Sequence, residues 1–143
     1  METPIFPTTI ANKVHKESAI QIATFLGGPL VAGYLIAENF KQLGEPEKVK
    51  KTWLWSILGF IAIMVLAFMV PQSVPAVVFT VTYTGVAAFI VKKYQSSQIK
   101  AHLEAGGGLY STKRAVFTGI IGAIVLIAVV LAYYFILDAL HII

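Results

Sequence analysis

Asp138 and His141 stand three residues apart near the C-terminal end, a spacing that puts both on one face of a helix. A carboxylate and an imidazole so placed could bind a metal ion or relay a proton. Two ligands without a third do not make a zinc site, so the pair is expected to be a polar helix end. A second group is Gly106-Gly107-Gly108-Leu109-Tyr110-Ser111-Thr112-Lys113-Arg114, where glycines, hydroxyls and cations precede a helix. That mixture can hold an anion at a helix N-terminus. It lacks the Gly-x-x-x-x-Gly-Lys-Ser/Thr spacing of a phosphate loop. The expectation is a flexible joint, with Ser111 or Thr112 capping the next helix and Lys113 and Arg114 resting on anionic lipid headgroups. Lys92, Lys93 and Lys100 would extend the same electrostatic contact. His15, Glu17, His102 and Glu104 are expected to be solvated.

A third feature carries no titratable group. In FLGGPLVAGY, residues 25–34, Gly27, Gly28 and Pro29 interrupt an apolar run. Pro29 removes one backbone N–H and frees a carbonyl about one turn earlier, near Phe25, while the glycines let another backbone approach. The expected role is a kinked packing face. The alternatives are a polar-backbone binding site, as in the broken helices of transporters, and a turn that re-enters the same side of a membrane.

What is missing matters as much. Residues 19–37, 52–91 and 115–137 contain no Asp, Glu, Lys, Arg or His. Proton-coupled carriers of the small multidrug-transporter kind need a carboxylate inside the bilayer, and none is available in these runs. No nucleophile–base pair or carboxylate cluster stands out either, so an enzyme is not expected, and neither is a cofactor. Without cysteine there is no disulfide framework and no thiolate metal site.

The elements that carry these residues follow from hydropathy. Only 13% of the residues are charged and 57% are hydrophobic, against about 25% charged in soluble domains. The uncharged runs at 52–91 and 115–137 contain 40 and 23 residues, and roughly 18 suffice for a spanning helix. Pro71 and Pro75 divide the longer run into a helical hairpin. Residues 19–37 form another apolar run, too late and too long for a cleaved signal peptide. The expected fold is all-α, a single membrane domain over residues 1–143. Four spanning helices, at about 18–43, 46–70, 75–104 and 111–140, form two hairpins. Gly44 ends the first helix as a C′ glycine and Pro46 restarts the chain. The third helix is expected to continue past Val91 into the cytoplasm as far as Glu104.

Orientation follows from Lys and Arg. The first loop carries Lys41, Lys48, Lys50 and Lys51, the third Lys92, Lys93, Lys100, Lys113 and Arg114, and the N-terminal tail Lys13 and Lys16. Four crossings place nine cations on one side and two on the other, so loops 38–52 and 92–114 are expected in the cytoplasm and both termini outside. A re-entrant first segment would bring all 11 to the cytoplasmic side. Hydrophobic length, and the unpaired backbone of a lipid-exposed bend, favour the crossing. The net charge of +4 is read as this asymmetry and not as a nucleic-acid surface.

Small residues suggest which helices meet. Ala23–Gly27, Gly28–Ala32 and Gly33–Ala37 in the first segment, and Ala115–Gly119–Ala123 with Gly122 in the fourth, have the small-xxx-small spacing of close helix pairs. The first and fourth segments are therefore expected to pack together. Trp53, Trp55, Tyr133 and Tyr134 are read as interface anchors. Thr80 and Thr84 share a face of the third segment, with Thr82 pointing elsewhere.

The block TFLGGPLVAGYLIAENFKQLGEPEKVKKTW, residues 24–53, resembles a segment of small uncharacterised multi-spanning bacterial inner-membrane proteins. It pairs a Gly-Gly-Pro-Leu helix with an Asn-Phe-Lys exit and a tight charged turn. The resemblance implies a bacterial inner membrane and a helical fold, and no activity. The expected function is non-enzymatic helix–helix association, as a subunit or regulator of a membrane complex. The expected partners are the lipid bilayer and either further copies of the chain or another membrane protein. The alternative is an oligomeric channel or transporter for a small solute, with the Gly27-Gly28-Pro29 break as its site.

Overall fold

The computed structural model describes residues 12–143 and is helical apart from one two-residue ladder. The first apolar run is not one helix. It forms α1 (Glu17–Gly27) and α2 (Pro29–Gln42), separated by Gly28 at φ 85° and ψ −171°. Only glycine enters that backbone region at little cost. Pro29 then opens α2 with its φ already set and no N–H to satisfy.

The break is a reversal. On a straight helix the 24 residues between His15 and Asn39 would span about 36 Å. Yet the His15 N–H donates to Asn39 Oδ1 at 2.7 Å, and Asn39 Nδ2 donates to the His15 carbonyl at 2.9 Å. The chain therefore runs inward along α1, turns at Gly28 and returns along α2. With 11 residues α1 reaches about 16 Å, roughly half the depth of a ~30 Å hydrocarbon core. This corrects the expectation of four spanning helices: three are long and apolar enough to cross a membrane. They are α3 (Glu47–Met69), α4 (Ala76–Tyr94) and α6 (Thr112–Ala139).

Local stops fall where the residues dictate. Gly44 takes φ 80°, and the Glu45 N–H donates to the Phe40 carbonyl at 2.8 Å, closing α2 with a Schellman-type bond. The turn at Pro71–Pro75 joins α3 to α4, with the Val74 N–H on the Pro71 carbonyl at 3.0 Å. Ser111 Oγ accepts from the Arg114 N–H at 3.3 Å and caps α6.

A second correction concerns the cytoplasmic extension of the third helix. It is a separate helix, α5 (Ser96–Glu104), set off from α4 at Gln95, whose φ is −124°. The Gln95 side chain is turned inward, where its Nε2 donates to the Ile36 carbonyl of α2 at 2.9 Å. Nor are the three glycines a free joint. Gly106 turns at φ 87°, and a Cβ on Gly107 would collide with the His102 ring. Then β2 (Gly108–Leu109) pairs in parallel with β1 (Lys13–Val14).

That ladder holds residues 12–16 at the same end of the bundle as the α2–α3 turn and α5. The described part of the N-terminal tail thus lies with the two basic loops and not opposite them, as four crossings had required. Residues 1–11 lie outside the described structure.

The core is the α1–α2 hairpin and what grips it. Ile20 and Ala23 of α1, Leu35, Ile36 and Phe40 of α2, and Ala87, Val91 and Ala115 of the spanning helices are buried together. α1 lies chiefly on α6 and α4, and α2 chiefly on α3. A Cβ on Gly119 would stand 2.9 Å from the Ala23 carbonyl oxygen, and one on Gly27 would stand 2.6 Å from that of Gly119. Nothing larger than hydrogen fits where these backbones cross, so the small-residue faces of the first and fourth segments do meet.

Candidate functional site

The hairpin has two ends that could act, a tip packed against Gly119 and Gly122 of α6 and a base among the basic loops. At the tip, Gly27 and Gly28 are buried and Pro29 is half-buried. Gly27 faces α6, where Gly119 and Gly122 lie. The Gly28 N–H donates to the Thr24 carbonyl at 2.8 Å and its carbonyl accepts from the Ala32 N–H at 3.3 Å, so helical bonding continues on both sides of the turn. The Thr24 hydroxyl donates to the Ile20 carbonyl at 2.7 Å. A bend at this depth is tolerated where it is enclosed by protein, and α6 provides that enclosure.

The base holds a polar cluster that spacing alone had not pointed to. Asn39 is fully buried and, besides its two bonds to His15, its Nδ2 lies 3.3 Å from Gln95 Oε1. One amide thereby ties the strand before α1, the end of α2 and the α4–α5 joint. His15, expected to be solvated, is 0% exposed. Its Nε2 stands 2.8 Å from Glu38 Oε2. A carboxylate only accepts, so Nε2 carries the proton in the neutral ring. Nδ1 is then the acceptor, and it is buried without a partner.

Arg114 completes the cluster from α6. Its Nη2 donates to Glu38 Oε1 at 3.0 Å, while its guanidinium lies 4.1 Å from the Tyr110 ring centre. Tyr110 in turn stacks on His15 with centroids 4.6 Å apart. Burial pushes the His15 pKa below its ordinary value, against the opposing pull of the Glu38 hydrogen bond and charge. The second expected-solvated histidine, His102, is also buried, with Nε2 at 3.1 Å from the Gly108 carbonyl.

Other candidate residues are scattered. Lys92, Lys93, Lys100 and Lys113 are exposed at the basic end. Lys93 lies over the Phe89 and Tyr94 rings, at 5.8 Å and 5.4 Å. Arg114 is half exposed but already bonded to Glu38. Asp138 and His141 are exposed at the far end, joined by the His141 N–H on the Asp138 carbonyl at 2.9 Å. Among the described residues no group of three or more His, Asp or Glu could hold a metal ion. Hydroxyls of α4 bond within their own helix, Thr82 Oγ1 donating to the Val78 carbonyl at 2.7 Å and the Tyr83 hydroxyl to Thr80 Oγ1 at 3.3 Å, while the Thr84 hydroxyl is buried without a partner.

The sequence reading missed the base: Glu38-Asn39 only closes an apolar run, Gln95 stands within an expected continuous helix, and their partners lie 24, 56 and 76 residues away, beyond any local spacing rule. The chain matches no family model, no curated protein and no solved structure.

Proposed function

We propose that this chain is a non-enzymatic integral membrane protein that works in an assembly, as a subunit or regulator of a membrane complex. One observation carries the reading. Burial is confined to the half of the bundle that contains the re-entrant hairpin: α3 buries no residue, α4 only Ala87 and Val91, and α6 only Ala115 and Gly119. In the far halves of the three spanning helices, large side chains such as Leu66, Val81 and Leu131 stay exposed. Helices in lipid gain stability from close mutual contact, and here the far halves gain little of it within one chain.

A second copy, or another membrane protein, would supply that contact. All 11 cations belong to segments at the hairpin-base end, which favours that end in the cytoplasm and the C-terminus outside. The resemblance over residues 24–53 favours a bacterial inner membrane.

The test is the oligomeric state after extraction into native-membrane nanodiscs, read by mass photometry and by crosslinking from cysteines at Leu66 and Leu131. A stable oligomer or a fixed membrane partner, with crosslinks at these positions, is the expected result. A monomer with no partner at native expression refutes the reading.

A second reading rests on the hairpin itself. Re-entrant hairpins put helix ends at mid-depth, where backbone groups can meet a solute without a charged side chain. Solute-selective flux through the wild-type protein in liposomes, with no partner present, would replace the assembly reading with an oligomeric channel or transporter.

A further inference from the structure

Between α2, α3 and α6 runs an open groove of about 440 Å³. Leu30 and Tyr34 of α2 line one side, Trp53 and Phe60 of α3 another, and Thr118, Val125 and Val129 of α6 the third. Each wall is a single helical stripe. Trp53 and Phe60 are seven apart, and Thr118, Gly122, Val125 and Val129 follow one another at three or four residues. The lining is almost wholly apolar, and the groove runs along two spanning helices.

Its two ends differ. At the far end α3 and α6 come together, with the Phe68 and Tyr133 rings 5.3 Å apart, and Tyr133 stands one turn beyond Val129 on the same stripe. At the basic end the stripes lead to cations. Lys50 precedes Trp53 by three residues and Arg114 precedes Thr118 by four, so each lies one turn below the groove mouth on its own wall. Lys51 and Lys113 stand beside them, exposed.

We propose that this groove holds one acyl chain of an anionic phospholipid, its headgroup held between the α3 and α6 cations. From Thr118 to Val129 the groove runs about 16 Å, the depth of one leaflet of a ~30 Å core. The Phe68–Tyr133 contact closes the groove at its far end, so a helix of a second copy cannot run along it through the full membrane depth, and the cations at its mouth match a negative head. The occupant is thus a thin apolar chain with a negative head. The lipid would fill the side of the hairpin that α6 leaves open, next to Pro29. The inference rests on the membrane placement of α3 and α6 and not on the assembly reading.

The experiment uses the full chain in vesicles of phosphatidylcholine and phosphatidylglycerol. A trace of phosphatidylglycerol carries a diazirine at the acyl-chain end, and adducts are mapped by mass spectrometry. Adducts are expected to concentrate on Phe60, Val125 and Val129 over Ile124, which is on α6 outside the groove and 62% exposed. Val125 is 51% exposed, so Val125→Trp extends into the groove and not into the core. It should lower groove labelling about tenfold, the lost contact of roughly two methylenes, while Ile124→Trp leaves it unchanged. Lys50→Gln with Lys113→Gln should abolish the preference over a phosphatidylcholine probe of the same chain. Even labelling of all exposed faces by the wild-type chain overturns the proposal whether or not the variants fold. Equal labelling by both wild-type probes overturns the headgroup assignment. A Val125→Cys disulfide between two chains in the bilayer overturns the choice of lipid over a second copy.

Discussion

Asn39 is the residue whose loss should tell most about the hairpin. It accepts the His15 N–H at 2.7 Å, donates to the His15 carbonyl at 2.9 Å and lies 3.3 Å from Gln95 Oε1. All three residues are fully buried. Asn39→Leu keeps the heavy-atom count and branching and strands three polar groups. A buried group left without its partner costs about 1–3 kcal/mol. The Gln95 contact is long and its amide keeps the bond to the Ile36 carbonyl, so the two His15 groups dominate. The expected loss is about 3 kcal/mol, near two decades in the folded-to-unfolded ratio. The control is Thr82→Val, which removes a hydroxyl bonded only within its own helix and should change stability by about 0.5 kcal/mol or less.

Stability would be read from denaturant titration in mild detergent micelles. Amide hydrogen exchange localises the loss: the His15 amide, paired with the Asn39 side chain, should lose protection by about a hundredfold. Amides in the middle of α6 should move far less. If Asn39→Leu costs no more than Thr82→Val, or His15 protection is unchanged, the polar base does not hold the hairpin. The reasoning that joins α1 to α2 there would then be wrong.

Two further outcomes follow from the same geometry. His15 has a folded-state pKa below its ordinary 6.5 because burial disfavours the imidazolium. Below pH 6.5 the unfolded chain therefore binds more protons, and stability should be full above 6.5 and fall as the pH drops toward the folded pKa. The groups facing the ring are Glu38 of α2, Tyr110 and Arg114. His15→Gln should flatten the slope of unfolding free energy between pH 5 and 8 (roughly the histidine range), and an unchanged slope would assign it to another group. For the path of the chain, single cysteines at Asn12, Ala105, Gln72 and Ile143 should label in two pairs. Asn12 and Ala105, which is exposed, should react from one side of the membrane, and Gln72 and Ile143 from the other. Asn12 reacting with the Gln72 group would restore a crossing first segment.

The contrast between tip and base explains which features local chemistry could reveal. Pro71 and Pro75, Gly44 and Ser111 act through their own backbone or side chain within a few residues. The α3–α4 hairpin, the end of α2 and the cap of α6 accordingly follow from composition and spacing. The close meeting of α1 and α6 was also legible, because glycine and alanine at four-residue spacing give a helix one flat face. The break at Gly27-Gly28-Pro29 was visible as a break, with a reversal among its alternatives but a kinked crossing expected. A proline after two glycines is compatible with a kink or a turn, and the outcome depends on whether Gly28 is driven to positive φ.

What drives it lies elsewhere in the chain. Asn39 captures the His15 backbone, the β1–β2 ladder pins residues 13 and 14 beside 108 and 109, and α6 presents Gly119 to the hairpin. Each is a contact between residues far apart in sequence, and together they return the chain to the end from which α1 began. The same long-range contacts bury His15, while the Gly106–Gly108 turn a few residues on covers His102; their polar neighbours in sequence had suggested both were wet. The long-range contacts also turn Gln95 inward and set α5 apart from α4. The sequence by itself determined a helical membrane chain, its short-range stops and its basic end. The tertiary structure decided that three helices can span and two fold back, because only packing across the bundle selects the backbone angle at Gly28.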